Sequence, residues 1–369
     1  MHIVHVIARL NDGGPARVVD CLARSLGALG HRVTVIAGRC AEDEVDLSSR
    51  LLGHGIELVR IPALGRRVHL LSDARALVAL AGWLMRLRPS VVHTHTAKAG
   101  ALGRTACRIL GMPCLHTYHG HVMSGYFSRA ATRVVRLGER VLAGHAHHQA
   151  LTASQLEELA LRLHIGRRSR WHCLPIPVEI PLPARAAWQD RLQPAVPVIG
   201  FLGRFAPVKD PQLWLEVLAR LQARQPVQGL MCGDGALRGI CEERAAQLGI
   251  PVVFTGYVPA GEALAACDLL LMTSRNEGLP LAVLEAGGME VAVVASAVGG
   301  LRDLAAAGAV MGARRSAEAL ADACAQVLEL PERRTRLIRT ASSLARSLGP
   351  AALAPRYEAL YRAIAQGGP

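Results

Sequence analysis

The strongest constraint on the fold is an alternation of short apolar segments with longer segments rich in Ala, Leu and Arg, repeated in each half of the chain. The short segments predict buried strands, and the longer ones have the length and period of helices. In the first half the predicted strands are His2–Ala8, Arg32–Ala37, Glu57–Ile61, Val91–His93 and Cys114–Thr117. In the second half they are Val198–Leu202, Gln228–Cys232, Val252–Thr255, Leu269–Met272 and Val291–Ala295. Strands separated by helices predict parallel sheets of β-α-β units, and hence an α/β fold.

The predicted helices and a proline-rich passage define the domains. The helices are Pro15–Leu29, His69–Leu87 and Gly100–Leu110, followed by Pro211–Arg224, Leu237–Leu248, Glu262–Ala266, Pro280–Ala286 and Leu301–Ala307. The passage from Leu174 to Pro197 favours a stiff connection over a further strand. We therefore predict a Rossmann-like acceptor-side domain over residues 1–180, a linker over 181–197, a donor-binding Rossmann-like domain over 198–350, and a C-terminal helix over 351–369 that packs back on the first domain. Two doubly wound domains that face each other predict a ligand site in the cleft between them, outside the carboxyl ends of the strands.

Charge is distributed unevenly along the chain. The net charge is +13, and residues 1–195 hold 25 Lys and Arg against 13 Asp and Glu, whereas residues 196–369 hold 17 against 16. This asymmetry predicts that the first half meets nucleic acid, a phosphorylated acceptor or an anionic membrane surface. Nucleic acid is disfavoured because only 4% of the residues are aromatic, which is poor for base stacking. The basic amphipathic segment Phe127–Arg136 favours the membrane surface.

Several sequence features bear on the compartment. The N-terminal segment lacks the charged and long apolar regions of a signal peptide, and no apolar run is long enough to span a bilayer. The nine cysteines include no C-x-x-C pair, so they predict reduced thiols rather than a zinc or redox motif. We expect a cytoplasmic protein that is at most peripheral on the inner face of the cytoplasmic membrane.

Charged residues follow the predicted strands of the second half. Arg204 and Lys209 lie five positions apart after strand Val198–Leu202, where two fixed cations suit a diphosphate. Glu277 and Glu285 follow strand Leu269–Met272, and their carboxylates suit the hydroxyl groups of a sugar or a ribose. The alternative for all four is an ordinary surface charge, solvated or paired.

The first half offers glycines and histidines at its strand ends. Gly13 and Gly14 open the first helix, where backbone N–H groups favour an anion, but no full G-x-G-x-x-G supports a nicotinamide site. Histidines cluster after two later strands, at His93, His95, His116, His119 and His121. They line the ligand cleft, serve a structural role, or bind a metal; the last is disfavoured because no zinc-type spacing or acidic ligand accompanies them. No D-x-D for a metal-held diphosphate occurs.

Taken together, Gly13-Gly14, His119-Gly120, G-R-F-x-x-V-K-D, G-D-G and E-G-L-P-x-x-x-x-E resemble the retaining glycosyltransferases of family four, which have the GT-B fold of two Rossmann-like domains. The stretch from His93 to Met123 is similar to the branch that builds bacterial surface polysaccharide and lipopolysaccharide. The resemblance implies His119, Arg204, Lys209 and Glu277 as catalytic residues. It implies donor binding by Gly13, Gly14, Arg204, Lys209, Gly233, Ser274, Glu277, Gly278, Leu279 and Glu285.

The resemblance also implies an activity. Arg204 and Lys209 would bind the diphosphate, Glu277 the donor sugar and Glu285 the ribose, while Gly14 and His119 would approach the diphosphate and the transferred sugar. The implied enzyme needs no metal or cofactor and retains configuration. It moves a sugar from a nucleotide-diphosphate sugar, expected to be UDP-linked, to a lipid-linked glycan, lipopolysaccharide or polysaccharide acceptor.

Alternatives and departures remain. A GT-B epimerase or phosphorylase, and a nucleotide-sugar-binding or nucleic-acid-binding protein without turnover, would carry many of the same motifs. Glu179 ends a P-I-P-V-E segment where the family has P-N-G-V-D. Glu290 and Ala292 stand where the family commonly has a turn glycine and a proline. A non-glycine residue in a left-handed turn costs roughly 1–2 kcal/mol, so Glu290 would strain this turn locally if the turn persists.

Overall fold

A computed structural model of the chain describes residues 1–41, 44–65, 69–120, 123 and 128–367. The chain divides into a first unit of Met1–Pro177 with Leu348–Pro369, and a second unit of Val178–Ser347. Residues 181–197, predicted as a linker, are therefore part of the second unit. There Trp188 Nε1 donates a hydrogen bond to Glu262 (3.3 Å), and a Cβ added to Gly261 would lie 2.0 Å from the Leu182 carbonyl oxygen.

The first unit contains a seven-stranded parallel sheet in the order β3-β2-β1-β4-β5-β6-β7. Its strands are β1 (His2–Ile7), β2 (Arg32–Ala37), β3 (Glu57–Arg60), β4 (Val91–His95), β5 (Cys114–Thr117), β6 (His147–Ala150) and β7 (Trp171–Cys173). The sequence predicted the first five. It gave no signal for β6 and β7, because HHQA and WHC contain no apolar run.

The second unit contains a six-stranded parallel sheet in the order β10-β9-β8-β11-β12-β13. Its strands are β8 (Val198–Leu202), β9 (Gln228–Cys232), β10 (Val252–Gly256), β11 (Leu269–Met272), β12 (Ala292–Ser296) and β13 (Met311–Ala313). Both sheets reverse direction of growth once, between β1 and β4 and between β8 and β11. Such reversal points are where doubly wound sheets bind ligands, so each unit has one predicted binding edge.

Helices cover the two sheets. They are α1 (Gly14–Ala28), α2 (Ser48–Gly53), α3 (Leu70–Leu87), α4 (Ala97–Leu110), α5 (Arg129–Ala143), α6 (Ala153–Leu156), α7 (Pro211–Gln222), α8 (Arg238–Leu248), α9 (Ala260–Ala265), α10 (Leu281–Gly288), α11 (Leu301–Ala306), α12 (Ala317–Glu329), α13 (Pro331–Ser347) and α14 (Pro350–Ala365). Prolines begin α7 and α14, where a missing N–H costs nothing.

Helix α14 packs within the first unit, against α1. Tyr357 and Tyr361 of α14 are fully buried there. The Tyr357 hydroxyl donates to the Pro175 carbonyl (3.1 Å), and the Tyr361 hydroxyl lies 2.6 Å from His93 Nδ1. Two hydrogen-bonded tyrosines therefore fix the end of the chain to the first sheet.

The left-handed turn is present at Glu290. Glu290 follows α10 with φ +61°, and the Val291 N–H donates back to the Ala286 carbonyl (2.8 Å). This is the glycine-type ending of a helix, made here with an exposed glutamate. The turn persists without its glycine, so the second unit carries the associated cost.

Candidate functional site

The binding edge of the second unit brings the predicted donor residues together. Arg204 and Lys209 lie in the loop after β8, and Ser274 and Glu277 lie in the loop after β11. These strands are neighbours at the point where the sheet order reverses, so their loops lie side by side. Arg204 is exposed and Lys209 is partly exposed. The edge therefore offers two cations beside one carboxylate.

Lys209 and Glu277 contact each other directly. The Lys209 ammonium donates to Glu277 Oε1 at 2.5 Å, and the side chains are 25% and 11% exposed. Ser274, itself buried, donates from Oγ to the same oxygen at 2.6 Å. Glu277 therefore holds the ammonium in place at the loop. Such charge-assisted bonds are short and geometrically restrictive.

The loop that carries Arg204 and Lys209 is supported by the neighbouring G-D-G turn. Phe205 is 1% exposed in the core, and its N–H donates to the Asp234 carbonyl at 2.9 Å. Gly233 has φ +130°, and a Cβ there would lie 2.0 Å from the Gly203 carbonyl oxygen. Only glycine fits at this position, since a side chain would push the two loops apart. Gly233 thus supports the cation loop, and a contact from Gly233 to the donor stays a prediction.

Asp210 fixes Lys209 from its C-terminal side, which the sequence did not predict. Its carboxylate accepts bonds from Arg275 Nε (3.1 Å) and from a terminal nitrogen of Arg315 (2.6 Å). The buried Thr273 hydroxyl donates to the carbonyls of Lys209 (3.0 Å) and Asp210 (2.9 Å). Asp210 has φ +49°, a left-handed conformation that aspartate tolerates better than most residues. Arg315 is remote in sequence and contacts Asp210 from the loop that follows β13.

The remaining donor residues lie around α10. Glu277 is also held through its backbone, whose carbonyl accepts from the Gly300 N–H at 3.0 Å. Gly278 and Leu279 are buried just before the helix. Glu285 lies within α10 and is only 2% exposed. The two glutamates thus differ: Glu277 is partly accessible in a loop, whereas Glu285 is in the helix and nearly enclosed.

In the first unit, Gly13 and Gly14 lie where the sequence placed them. Gly13 is the residue before α1, and Gly14, which is exposed, begins that 15-residue helix. The carbonyl of Gly13 accepts from the N–H groups of Ala16 and Arg17, both at 3.0 Å. The first N–H groups of the helix lie at the reversal point after β1, which is a favourable location for a negatively charged ligand.

Buried histidines line the first sheet. His5 on β1 and His93 and His95 on β4 are 0% exposed, and each offers one nitrogen within 4.8 Å of the others. Such a group can hold a metal. However, His93 already bonds through both nitrogens, at 2.6 Å to the Tyr361 hydroxyl and at 2.6 Å to the Thr117 hydroxyl. Burial lowers the pKa of His5 to about 3 and the pKa of His93 and His95 well below its usual value, so all three are neutral.

His119 lies at the edge of this histidine layer. Its ring is largely buried, which lowers its pKa to about 3, and its Nε2 lies 2.9 Å from His95 Nδ1. With Thr96, Gly120 and Glu139 it lines a cavity beyond the ends of β4 and β5. His119 therefore connects the histidine layer to this cavity, which His116 also lines. His121 lies outside the described residues.

Comparison with known proteins identifies the family. Residues 13–177 match the model of the glycosyl transferase 4-like domain, and residues 186–343 match the model of the glycosyl transferases group 1. The two matches together span both units. The chain belongs to the family-four glycosyltransferases, and its two Rossmann-like units are those of the GT-B fold.

Curated relatives and solved structures agree with this assignment. The chain is 24% identical over 257 residues to the UDP-Gal:alpha-D-GlcNAc-diphosphoundecaprenol alpha-1,3-galactosyltransferase of Escherichia coli, covering 65% of this chain and 66% of that protein. It is 31% identical over 252 residues to the 2-deoxystreptamine N-acetyl-D-glucosaminyltransferase of Streptomyces fradiae, covering 62% and 60%. It thus spans less than two thirds of each of these relatives. The sucrose-phosphate synthase of Thermosynechococcus elongatus superposes with a TM-score of 0.84, at 20% identity and over 100% of both chains.

Among the helices of the described residues, none combines the length and apolar character needed to cross a bilayer.

Proposed function

We propose that the protein is a retaining, metal-independent glycosyltransferase that moves a sugar from a UDP-sugar to a lipid-linked glycan or another surface-polysaccharide or lipopolysaccharide acceptor. The observation that carries this proposal is the Lys209–Glu277 pair beside Arg204, at the reversal point of the second sheet. The two cations suit a diphosphate, and the carboxylate suits the hydroxyl groups of a sugar. A sugar joined to a diphosphate therefore matches all three side chains at that edge.

The chemistry follows from charge. When the bond between the sugar and the diphosphate breaks, negative charge develops on the leaving oxygen and positive charge develops at the sugar carbon. Fixed cations aimed at the leaving group stabilise that change most, because they need not reorganise during the reaction. Lys209 and Arg204 would supply this stabilisation. Glu277 would orient Lys209 and would also accept a hydrogen bond from a hydroxyl of the donor sugar. The acceptor hydroxyl then attacks from the face that the diphosphate leaves, which retains configuration.

The other residues would bind parts of the donor. Glu285 would accept hydrogen bonds from the ribose hydroxyls, which suit a carboxylate. Ser274, Gly278 and Leu279 shape the loop that leads into α10, and Gly233 supports the loop that carries Lys209. In the first unit, the helix start at Gly14 would contribute N–H groups to the diphosphate, and His119 would contact the transferred sugar.

The donor class and the acceptor class rest on different support. The name of the E. coli relative specifies UDP-Gal as donor and a diphosphoundecaprenol-linked sugar as acceptor. The S. fradiae relative acts on 2-deoxystreptamine, which is not a lipid. The two relatives therefore do not agree on the kind of acceptor, and the proposal of a lipid-linked acceptor rests on the surface of this protein.

Helix α5 provides that support. Val134, Leu137 and Val141 are 72%, 63% and 59% exposed, and their spacing puts them on one side of the helix. Arg133 and Arg140 belong to the same helix. Exposed apolar side chains bordered by arginines suit the surface of an anionic bilayer. We propose that α5 binds the inner face of the cytoplasmic membrane. Phe127, which begins the segment predicted from sequence, lies outside the described residues.

Activity is tested with UDP-galactose, UDP-glucose or UDP-N-acetylglucosamine as donor and diphosphoundecaprenol-linked N-acetylglucosamine as acceptor. Wild-type protein should transfer sugar from one of these donors. Lys209→Met should lower kcat/KM by roughly 10²–10³-fold, the usual effect of removing one group that stabilises developing charge. Arg220→Ala, on the exposed side of the following helix, is the matched control and should leave kcat/KM unchanged.

Other outcomes separate the alternatives. Conversion of the donor to its epimer without transfer would identify an epimerase. Donor binding without turnover would identify a binding protein, and both results would overturn the proposal.

Membrane binding is tested by flotation with phosphatidylglycerol–phosphatidylcholine vesicles. Replacing Val134, Leu137 and Val141 together by Ser should abolish flotation, while Ile240→Ser, an exposed apolar change on α8 of the second unit, should not. Equal flotation of the triple variant and wild type would refute a role for α5.

A further inference from the structure

Three histidines form a continuous chain of hydrogen-bonded rings from the buried sheet to the cavity. His5 Nδ1 lies 3.1 Å from His95 Nε2, and His95 Nδ1 lies 2.9 Å from His119 Nε2. We propose that His95, oriented by His5, is a positioning residue that sets the tautomer of His119, so that His119 presents an N–H at Nδ1.

The chain couples the three tautomers. Burial holds the pKa of His5 and His119 at about 3 and the pKa of His95 well below its usual value, so all three rings are neutral near pH 7. A neutral imidazole carries one proton, and one nitrogen donates while the other accepts. Each contact between two rings therefore contains one proton, and the direction of the first bond fixes the second. All three rings must carry the proton on Nδ1, or all three on Nε2.

His5 decides the direction. Its Nε2 is buried, and no described residue offers that atom a hydrogen-bond partner. A buried N–H without an acceptor is rare in proteins. His148 of the same sheet shows the preferred arrangement: its Nε2 donates to the Ala143 carbonyl at 2.9 Å, and the nitrogen left without a partner is Nδ1, which bears no proton.

By the same preference, His5 leaves its Nε2 unprotonated and carries its proton on Nδ1. His5 then donates to His95 Nε2, and His95 donates from Nδ1 to His119 Nε2. His119 carries its proton on Nδ1, the nitrogen not engaged by His95.

The adjacent His93 has the opposite tautomer. Gln149 donates from its amide nitrogen to the Leu174 carbonyl (2.7 Å), so its oxygen accepts from the Thr117 hydroxyl (2.5 Å). Thr117 must then accept from His93 Nε2, which bears the proton. His93 Nδ1 accepts from the Tyr361 hydroxyl.

This arrangement bears on metal binding. A metal shared by His5, His93 and His95 would have to displace either the Tyr361 hydroxyl or the Thr117 hydroxyl from His93. The hydrogen bonds between these histidines therefore explain the cluster without a bound metal, and the experiment below tests for a metal.

The tautomer of His119 also bears on catalysis. This catalytic role rests on the proposed glycosyl transfer, whereas the assignment of the tautomer does not. His119 would offer a neutral N–H donor toward the cavity over the whole neutral pH range. Such a donor suits an oxygen of the transferred sugar and cannot remove a proton from the acceptor. His119 would then bind the sugar, not act as a base.

The tautomers are read by long-range ¹H–¹⁵N NMR of protein labelled in its histidines. We expect protonated Nδ1 in His5, His95 and His119, and protonated Nε2 in His93 and His148, which serve as internal references. Protonated Nε2 in His119 would overturn the proposal. One equivalent of a tightly bound transition metal, measured by elemental analysis of the purified protein, would overturn it as well.

Two substitutions of His95 separate positioning from packing. His95→Leu removes the donor to His119 and should lower kcat/KM roughly tenfold, the effect of one hydrogen bond, with His119 shifting toward protonated Nε2. In His95→Asn the amide nitrogen takes the place of Nδ1, so this variant should keep the His119 tautomer and most of the activity. Equal losses in both variants, with the His119 tautomer unchanged, would leave only a packing role and refute the proposal.

The tautomers are read from the wild-type protein, so the test does not depend on the folding of either variant. It also remains interpretable if no transfer is detected, so failure of this inference and failure of the proposed function can be told apart.

Discussion

The two units share a topology but fill it differently. All 15 histidines lie between positions 2 and 172, in the first unit, and the second unit has none. Under the first sheet, imidazoles, tyrosines and an amide form a buried hydrogen-bonded layer. The core of the second unit is apolar around Trp214 and Phe201, and the polar contacts described above lie mainly at the ends of its strands. The stability of the first unit therefore depends on the protonation state of its buried histidines. The second unit has its charged side chains mainly at the ends of its strands, where they are accessible to a ligand.

The largest expected effect is acid destabilisation of the first unit alone. His5 and His148 are buried with pKa about 3, whereas an unfolded histidine titrates near 6.5. The unfolded state binds more protons between these values, so the stability from neutral histidine is complete above pH 6.5 and falls as the pH drops toward 3. At pH 5 the two residues together should lower the free energy of unfolding by about 4 kcal/mol.

Hydrogen exchange resolved by peptide checks this prediction. Protection in the sheet of the first unit should fall between pH 7 and pH 5, after correction for intrinsic rates, and protection in the second unit should change much less. Equal losses of protection in both units would show that the buried histidines do not make the first unit more sensitive to acid.

The next effect concerns a buried ion pair in the first unit. Arg104, with a side chain 0% exposed, donates two 2.9 Å bonds to Glu139, which also accepts from the Tyr118 hydroxyl. Glu139→Gln leaves the guanidinium buried without its counter-charge and should cost about 3 kcal/mol in urea unfolding. Asp322→Asn breaks an exposed pair with Arg224 in the second unit and should cost less than about 1 kcal/mol. Similar costs would show that burial does not distinguish the two pairs.

A smaller effect is expected at Asp210 of the second unit. Asp210→Asn keeps a residue that tolerates φ +49° but weakens the bonds to Arg275 and Arg315. Lys209 would lose part of its support, so kcat/KM should fall roughly tenfold with little change in stability. Asp190→Asn, an exposed change in the same unit, is the control. An unchanged kcat/KM for Asp210→Asn would remove Asp210 from the positioning of Lys209.

The smallest effect is a gain. Glu290→Gly relieves a left-handed conformation that costs roughly 1–2 kcal/mol, and part of this is offset by the greater freedom of glycine in the unfolded chain. The second unit should gain about 1 kcal/mol in urea unfolding. Glu243→Gly, on the exposed side of helix α8, should instead lose about 1 kcal/mol. A loss in both variants would contradict the strain at Glu290.

The sequence predicted what depends on local pattern. Apolar runs predicted ten of the strands and located Lys209 and Glu277 in the loops that follow two of them, but the adjacency of these loops came from the structure. The family pattern has a turn glycine at the position of Glu290, and the sequence left open whether the turn persists; the φ of +61° shows that it does. The family and the GT-B fold, identified from the spacing of the motifs, are confirmed by the family matches.

Contacts between distant segments were beyond the sequence. Nothing local links Asp210 with Arg315, or His93 with Tyr361, because each contact depends on how remote elements pack. The histidine cluster was visible as a composition, but its bonds depend on which side chains of β1, β4 and β5 share one side of the sheet. The short polar strands β6 and β7 were missed because burial there follows from their neighbours and not from their own residues.

If fixed cations drive a retaining transfer, the product keeps the anomeric configuration of the donor and its formation needs no metal. ¹H NMR of the glycoside formed from an α-linked UDP-sugar, in buffer containing EDTA, gives the coupling constant of the anomeric proton. We expect an α-linked product that forms at an undiminished rate in EDTA. A β-linked product, or turnover that stops in EDTA and returns with added Mn²⁺ or Mg²⁺, would contradict it.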